Sequence, residues 1–400
     1  MAHIRVLCPM LTCLSASTIY PVSQPPIANG VLAVDEAGYV RGLYQPEQAI
    51  SLNLPIKNHY AGALLPGFIN THCHLELSHL RGQIPQHTGL FEFVSRIMKN
   101  RAAQPSEIIK AMADADEEMY QNGIVAVGDI SNQPISAATK LNSKIYYHTF
   151  VEAMGFNPAQ AASIISSAQE ILESFKPLKA SIVPHAPYSV SDPLFAAISA
   201  LAESQQENLI SMHNQETAAE DAFFESKTGA FLELYKMLGL NLDAFKPSGK
   251  SSLQTTLPKL PKTKSLLVHN TQTTKADADF ANSHHPDLYW CLCPNANLYI
   301  ENTLPDVAML SAANLKITLG TDSLASNHQL SILDEMQVLQ KHKHIGFQDL
   351  LRWATLNGAK FLGIDDTFGT FEIGKQPGIL LLEQFDNEQL TGASRIKRLF

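Results

Sequence analysis

What this chain has little of narrows its class. Cysteine occurs five times in 400 residues, at positions 8, 13, 73, 291 and 293. An odd number spread through a long chain excludes a disulfide framework and fits a reducing, cytoplasmic compartment. No apolar run reaches the roughly 18 residues that a membrane-spanning helix needs. Charge of neither sign comes in blocks, and Asp plus Glu (38) exceed Lys plus Arg (29), for a net charge of −9. The basic footprint of a nucleic-acid binder is missing. There is no fixed-period repeat, Walker A loop, GxGxxG turn or GxSxG nucleophile elbow. The expected partner is a small molecule, with neither nucleic acid nor membrane; a homodimer is the assembly left open. The first 17 residues have the outline of a secretory leader, with Arg5 ahead of an apolar stretch. Pro9 and Thr12 interrupt that stretch, and the residues after it read as paired strands that need an N-terminal partner.

What is present is globular: 45% hydrophobic and 17% charged residues, enough apolar material for a large core. Residues 1–64 are β-rich, and VLAVDEAGYVRGLY (31–44) reads as two strands around the turn Asp35-Glu36-Ala37-Gly38. The last residues (366–400) repeat that style, so both ends are expected to meet in one small β domain. Between them (65–365), short apolar runs alternate with longer helical ones. The expected strands are 65–72, 124–130, 144–152, 180–185, 208–213, 265–269, 288–292 and 316–322, with helical stretches such as 106–123 and 159–175 between them. Eight βα units imply a parallel sheet, and eight is the number that closes a barrel. The stretch 246–264, rich in Pro, Ser and Lys, reads as an elaborated surface loop.

The strand ends carry the chemistry. They bear His72 and then His74, Asp129, Glu152, His185, His213, His269 and Asp322. Core strands have no packing reason to end in imidazoles and carboxylates, whereas the catalytic mouth of a βα barrel lies at these ends. His72 and His74 stand two residues apart, which in an extended strand puts both rings on one face. With His213 and Asp322 they make three imidazoles and a carboxylate, a donor set for one divalent ion, zinc or alternatively iron, with a position left for water. Glu216 lies close enough after His213 to reach such a water as general base and later acid, and is otherwise an ordinary helix-start glutamate. His269 is placed to polarise a substrate.

Further residues carry weaker signals. His185 and Tyr188, fixed by Pro187, are expected to contact substrate. Glu152 is either a substrate contact or a buried, paired carboxylate, and Asp129 reads as structural. Ser326 and Asn327 contact substrate or cap the next helix. Cys291 and Cys293 share a strand face and read as small buried apolar thiols. His74-Leu75-Glu76 matches half of a zinc nucleobase deaminase signature, but CLCP (291–294) stands where P-C-x-x-C would be needed.

Taken together, PGFINTHCHLE (66–76), HAPYSVS (185–191), HNQE (213–216), LVHN (267–270), CPNANLYI (293–300) and LGTDSLASN (319–327) resemble the amidohydrolase superfamily of metal-dependent hydrolases. The resemblance covers nearly the whole chain. It implies a distorted (β/α)8 barrel with a β-sandwich built from both termini. It also implies metal ligation by His72, His74, His213 and Asp322, proton shuttling by Glu216 and assistance from His269. The nearest branch is that of the mononuclear deaminases and chlorohydrolases. The lysine that binuclear members carry near the end of strand four has no counterpart at the ends of 144–152 and 180–185, so one metal is expected. HLELSHLRG (74–82) is similar to the variant seen in aminodeoxyfutalosine deaminases. Pro377-Gly378 departs from the family's usual Ala-Asp ending. A carboxylate that grips ribose is not placed by motif; Glu76, Glu92 and Glu152 are the candidates.

The expected reaction is hydrolytic deamination of an aminopurine nucleoside such as adenosine, methylthioadenosine, S-adenosylhomocysteine or aminodeoxyfutalosine. A metal lowers the pKa of bound water from about 15.7 towards ~7, Glu216 moves a proton to the ring nitrogen, and Asp322 accepts the remaining hydroxyl proton. Hydrolysis of a cyclic amide or displacement of chloride by the same site is the alternative. A non-catalytic metal- or nucleoside-binding barrel is the third reading.

Overall fold

The computed structural model describes residues 11–400 apart from 205–207 and 244. The part of the leader-like stretch before residue 11 lies outside these residues, and Thr12–Ile19 is a strand. All eight expected inner strands form: β1 (Phe68–Cys73), β2 (Ile124–Ser131), β3 (Tyr146–Ala153), β4 (Lys179–Pro184), β5 (Ile210–Asn214), β6 (Ser265–His269), β7 (Leu288–Leu292) and β8 (Lys316–Leu319). They pair in parallel as two four-stranded sheets, β1-β2-β3-β4 and β5-β6-β7-β8. Their near-continuous apolar runs reflect burial on both faces, which helices between parallel strands enforce.

The two sheets meet at two seams. At one, the His213 N–H donates to the His185 carbonyl at 3.0 Å; at the other, the Thr321 and Asp322 N–H groups both donate to the His72 carbonyl at 3.1 Å, and Cys73 bridges Asp322. Both seams are thus laced at the C-terminal ends of the strands, beside the expected site. Gly320 permits the second: a Cβ there would stand 2.8 Å from His72 Cβ and 2.7 Å from Cys291 Sγ.

The expected helices are present, and their ends obey local rules. Pro105–Gln121 begins with proline, whose missing N–H is an unbonded donor of a helix start in any case. It ends at Asn122, and Gly123, at φ +83°, turns the chain into β2. The stretch 246–264 is more than a surface loop. It holds the helix Ser252–Thr256 and buries Leu253, Leu257 and Leu260 in the main core, because the leucines repeat at near-helical spacing.

Both chain ends meet in one seven-stranded sheet containing Thr12–Ile19, Val31–Val34, Val40–Tyr44, Ile56–Pro66, Ile379–Glu383 and Arg395–Arg398. The turn at 35–38 is held by Asp35 Oδ1, which accepts the N–H groups of Ala37 and Tyr39 at 3.0 Å. Strand pairing links these segments into one continuous sheet. The reason is Ile56–Pro66, whose 11 residues pair with Thr12–Ile19 on one side and Ile379–Glu383 on the other. This sheet has its own apolar cluster, including Leu14, Ile19, Leu32, Leu64, Phe371 and Leu381.

A second satellite cluster sits where β1 and β5 deliver their loops. Gly89–Asn100, Ala218–Ser226 and Phe231–Met237 pack Phe93, Phe223, Phe231 and Tyr235 against Leu80 and Ile84. Together they cap the strand-end mouth.

Candidate metal centre

At that mouth four donor atoms converge from β1, β5 and the end of β8. His72 Nε2 and His74 Nε2 are 3.1 Å apart, and His74 Nε2 and His213 Nε2 3.3 Å. Asp322 Oδ1 lies 3.3 Å from His74 Nε2 and 3.7 Å from His72 Nε2. Donors each about 2.1 Å from a tetrahedral ion stand roughly 3.4 Å from one another; the spacing of His72, His74 and Asp322 suits a zinc-sized ion, and His213 joins His72 in a second group that includes His269, the donor atoms of each group lying within 4.8 Å of one another. Hydrogen bonding further orients the set. His213 Nδ1 meets the His185 carbonyl at 2.8 Å, and donating its proton there leaves the Nε2 lone pair facing the cluster. Ser326 Oγ donates to Asp322 Oδ2 at 2.6 Å, leaving Oδ1 turned to the histidines. Burial holds His74 and His213 down at about 4 and His72 well below its ordinary value, so all three rings are in the neutral, ligand-competent form at pH 7. Among the described residues no Lys or Arg pairs with Asp322, whose carboxyl is raised by burial. A divalent cation is the counter-charge this set fits.

Glu216 and His269 stand beside it, with Glu216 Oε1 3.7 Å from His269 Nε2 and both side chains buried. Burial first, then the charges of Asp322, Glu220 and Glu301, holds the Glu216 carboxyl well above the usual carboxylate range. A carboxyl raised in this way favours its protonated form and can carry a proton. Its turn is braced from below. Gln215 adopts φ +46°, with its N–H on Glu220 Oε1 at 3.0 Å and its side-chain oxygen taking the Thr273 hydroxyl at 2.8 Å. His269 also has a left-handed backbone, φ +76°, a strained conformation that surrounding structure must enforce. Asn270 supplies this by donating to the Leu267 and Cys291 carbonyls at 2.9 and 3.2 Å and accepting from Asn214 at 3.1 Å. Asn297, on the helix Pro294–Glu301, meets His269 Nδ1 at 3.2 Å.

The other expected residues divide. His185 and Glu152 come close to His213; donor atoms of all three lie within 4.8 Å of one another. Glu152 Oε2 accepts from Asn132 Nδ2 at 3.0 Å, while its Oε1 is buried without a hydrogen bond. Ser326, expected against substrate or as a cap, is fully buried and donates its hydroxyl to Asp322 Oδ2. Asn327 bonds the Thr321 carbonyl and Glu335 at 3.0 and 2.9 Å and accepts the His328 N–H at 2.8 Å, but it does not cap the next helix, Ile332–Lys343, whose N-cap is Ser331. Tyr188 lies in the cap cluster, its ring 4.2 Å from that of Phe231 and its carbonyl taking the Tyr235 hydroxyl. Glu76 spends its carboxylate on the N–H groups of Asn132 and Gln133, at 3.1 and 3.2 Å. Glu92 pairs with Arg96 on its own helix at 2.7 Å. Asp129 is paired with buried Lys140 at 2.6 Å, and Cys291 Sγ and Cys293 Sγ lie 3.9 Å apart as free, buried thiols. Lys140, Asn297 and the Asn214–Asn270 pair had no signal of their own in the sequence, although Asn214, Asn270 and Asn297 all fall inside HNQE, LVHN and CPNANLYI.

The chain is similar to known proteins along most of its length. An adenosine deaminase of Helicobacter pylori (strain ATCC 700392 / 26695) is 27% identical over 337 residues, 82% of this chain and 81% of its own length. The crystal structure of Helicobacter pylori aminofutalosine deaminase in complex with methylthio-coformycin superposes with a TM-score of 0.78 at 21% identity, over 97% of this chain and 100% of that one. An adenosine deaminase from Xanthomonas campestris with bound zinc gives 0.74 at 21% identity, over 93% and 84%. The model of the amidohydrolase family matches residues 63–398, and by that match, spanning most of its length, the chain belongs to the amidohydrolase family.

Proposed function

We propose that this chain is a metal-dependent hydrolytic deaminase of an adenine-type nucleoside, a hydrolase of non-peptide carbon–nitrogen bonds. The observation that carries the reading is the convergence of three neutral imidazoles and Asp322 beside Glu216, whose carboxyl burial raises. The two deaminase structures and the adenosine deaminase relative support the same chemistry. In this reading His72, His74, His213 and Asp322 hold one divalent ion, zinc by preference and iron as the alternative. When bound, the ion supplies Lewis acidity that brings the pKa of water near neutrality. The residues of the chain do the rest. Glu216 takes a proton from the attacking water and delivers it to the ring nitrogen, for which a raised carboxyl pKa is suited. His269, oriented by Asn297 and Asn270, faces the reacting centre. Asp322 accepts the hydroxyl proton as the amine departs as ammonia. His185 and Glu152 are the proposed substrate contacts next to the ligands; Tyr188, Glu76 and Ser326 support these groups from within the protein.

The finer architecture fits the same reading. The two parallel sheets are the halves of a distorted (β/α)8 barrel spanning 65–365. Residues 1–64 and 366–400 form its small β domain, which has an apolar cluster of its own. The free buried thiols suit a reducing compartment.

The test is chromatographic detection of substrate loss, with ammonia and chloride measured beside it, on purified protein of measured metal content. The panel is adenosine, 5′-methylthioadenosine, S-adenosylhomocysteine, a cyclic amide and a chlorotriazine. Loss of the purine nucleosides alone, with release of ammonia, is expected. Turnover confined to the last two compounds replaces deamination with amide or chloride hydrolysis. Nucleoside binding without any turnover replaces it with a binding role.

A further inference from the structure

Glu216 acts through the tip of its side chain, but its reach is set by the turn that carries it. That turn leaves β5 and enters the helix Ala218–Ser226 through Gln215, whose left-handed backbone (φ +46°) is held only where the surroundings enforce it. The enforcement comes from one side chain. Glu220, fully buried in the first turn of that helix, accepts the Gln215 N–H on Oε1 at 3.0 Å and the Glu216 N–H on Oε2 at 3.4 Å. Two successive backbone groups are thus pinned by the two oxygens of one carboxyl.

Glu220 is itself held from far along the chain. The Ser252 hydroxyl, also fully buried, donates to Glu220 Oε1 at 2.6 Å, and the Ser252 N–H donates to Asp221 Oδ1 at 2.8 Å. The side-chain amide of Gln215 is gripped in parallel: its Nε2 donates to Asp221 Oδ2 at 3.0 Å and to Asp277 Oδ2 at 3.3 Å. Asp277 Oδ1 in turn takes the Ser251 hydroxyl at 2.6 Å and Gln254 Nε2 at 2.9 Å. The stretch 246–264 therefore reaches the Glu216 turn through Ser251, Ser252 and Gln254. Among the described residues, none of these side chains hydrogen-bonds a side chain of His72, His74, His213 or Asp322. Buried carboxyls are costly unless their oxygens are satisfied, so apolar residues would pack this space more cheaply. What the polar network adds is a fixed backbone at 215–216.

We propose that Glu220 and Ser252 are positioning residues for Glu216, and that the stretch 246–264 is the brace that holds its carboxyl against the reacting centre. Neither residue touches the substrate; both act through the turn. This inference rests on the deaminase reading, in which Glu216 moves the proton, and adds to it residues whose effect vanishes when Glu216 cannot do so.

The test is a double-mutant cycle on the full chain, with adenosine and 5′-methylthioadenosine as probes, joined to crystal structures of wild type and S252A. S252A is expected to lower kcat by about 10- to 100-fold, as a displacement of about 1 Å does, with KM within about twofold and metal content unchanged. In an E216Q background the same substitution should change the residual turnover by less than about twofold, because nothing is left to position. E220Q, which keeps one acceptor oxygen, should lose less than E220A, which keeps none. An unchanged kcat in S252A, or an equal loss in the wild-type and E216Q backgrounds, overturns the proposal. In the S252A crystal the Glu216 carboxyl should shift while His72, His74 and His213 keep their places; an unmoved carboxyl also overturns it. A shifted carboxyl with no ammonia from either probe, even in the wild type, overturns deamination and leaves the positioning role standing.

Discussion

Asp129 and Asp322 begin alike in the sequence, as aspartates at or just past the ends of parallel strands, and both are buried. Their surroundings differ in one respect. Asp129 has its own cation: Lys140 Nζ is 2.6 Å away, wholly buried, and is also held by Ser131 and Thr149 at 2.9 and 3.1 Å and by the ring of Phe175 at 4.7 Å. The free oxygen takes the Leu75 N–H at 2.8 Å, which fixes the chain just beyond His74. Asp322 has a hydroxyl, from Ser326, and two neutral imidazoles. A buried carboxylate is costly unless its charge is matched. The first is matched inside the chain and supports structure; the second has no Lys or Arg partner among the described residues, and in the proposed function an ion takes that role.

The contrast can be broken from either side. The largest effect is expected at the site: E216Q should lower turnover by about 10²–10⁴-fold, the usual worth of a general acid–base group, while metal content stays unchanged. Unchanged turnover would remove Glu216 from the chemistry. On the structural side, K140M leaves Asp129 buried without its cation and should cost about 3–5 kcal/mol in urea unfolding, with D129L/K140M recovering much of the loss. If the double variant is as unstable as the single one, the pair is not the reason for the loss. S326A should weaken metal affinity by about 10–100-fold in chelator competition, since it removes the hydroxyl that orients Asp322. An unchanged affinity would mean the carboxylate needs no such support.

The smallest effect concerns a third buried carboxyl. Glu335, wholly buried and bonded by the Asn295 N–H and by Asn327, each at 2.9 Å, is raised by burial to about 8. The unfolded chain gives up this proton near 4.5 and the folded chain keeps it to about 8. The folded state therefore binds the extra proton across that window, and its stability falls as pH rises through it. E335Q should flatten this fall, so that its melting temperature relative to wild type rises steadily between pH 5 and 8. A constant offset would show that Glu335 does not titrate in that range.

The same contrast marks what the sequence made legible. The strands were readable because burial on both faces writes itself as apolar runs, and His72, His74, His213 and Asp322 were readable because polar residues at the ends of such runs have no packing reason. Partnership was not readable. Nothing in the sequence around Lys140 says that it turns inward to Asp129, and nothing around Ser326 says that it serves Asp322 and not a substrate. The orientations of Glu76 and Tyr188 were not readable either, since a loop residue's orientation is set by backbone amides and rings far away in sequence: Asn132 and Gln133 for the one, Phe231 for the other. The strand that joins the two ends, Ile56–Pro66 between Thr12–Ile19 and Ile379–Glu383, was not readable, because composition leaves its boundaries loose.

Both the site and its contrast with Asp129 turn on the ion. Elemental analysis of protein purified without chelators, on wild type and D322A side by side, tests it most directly. The expected result is about one equivalent of zinc or iron per chain in the wild type, lost together with all turnover in D322A, while K140M retains it. A wild-type protein that is fully active with no bound metal, or a D322A protein that keeps both metal and activity, would contradict the account.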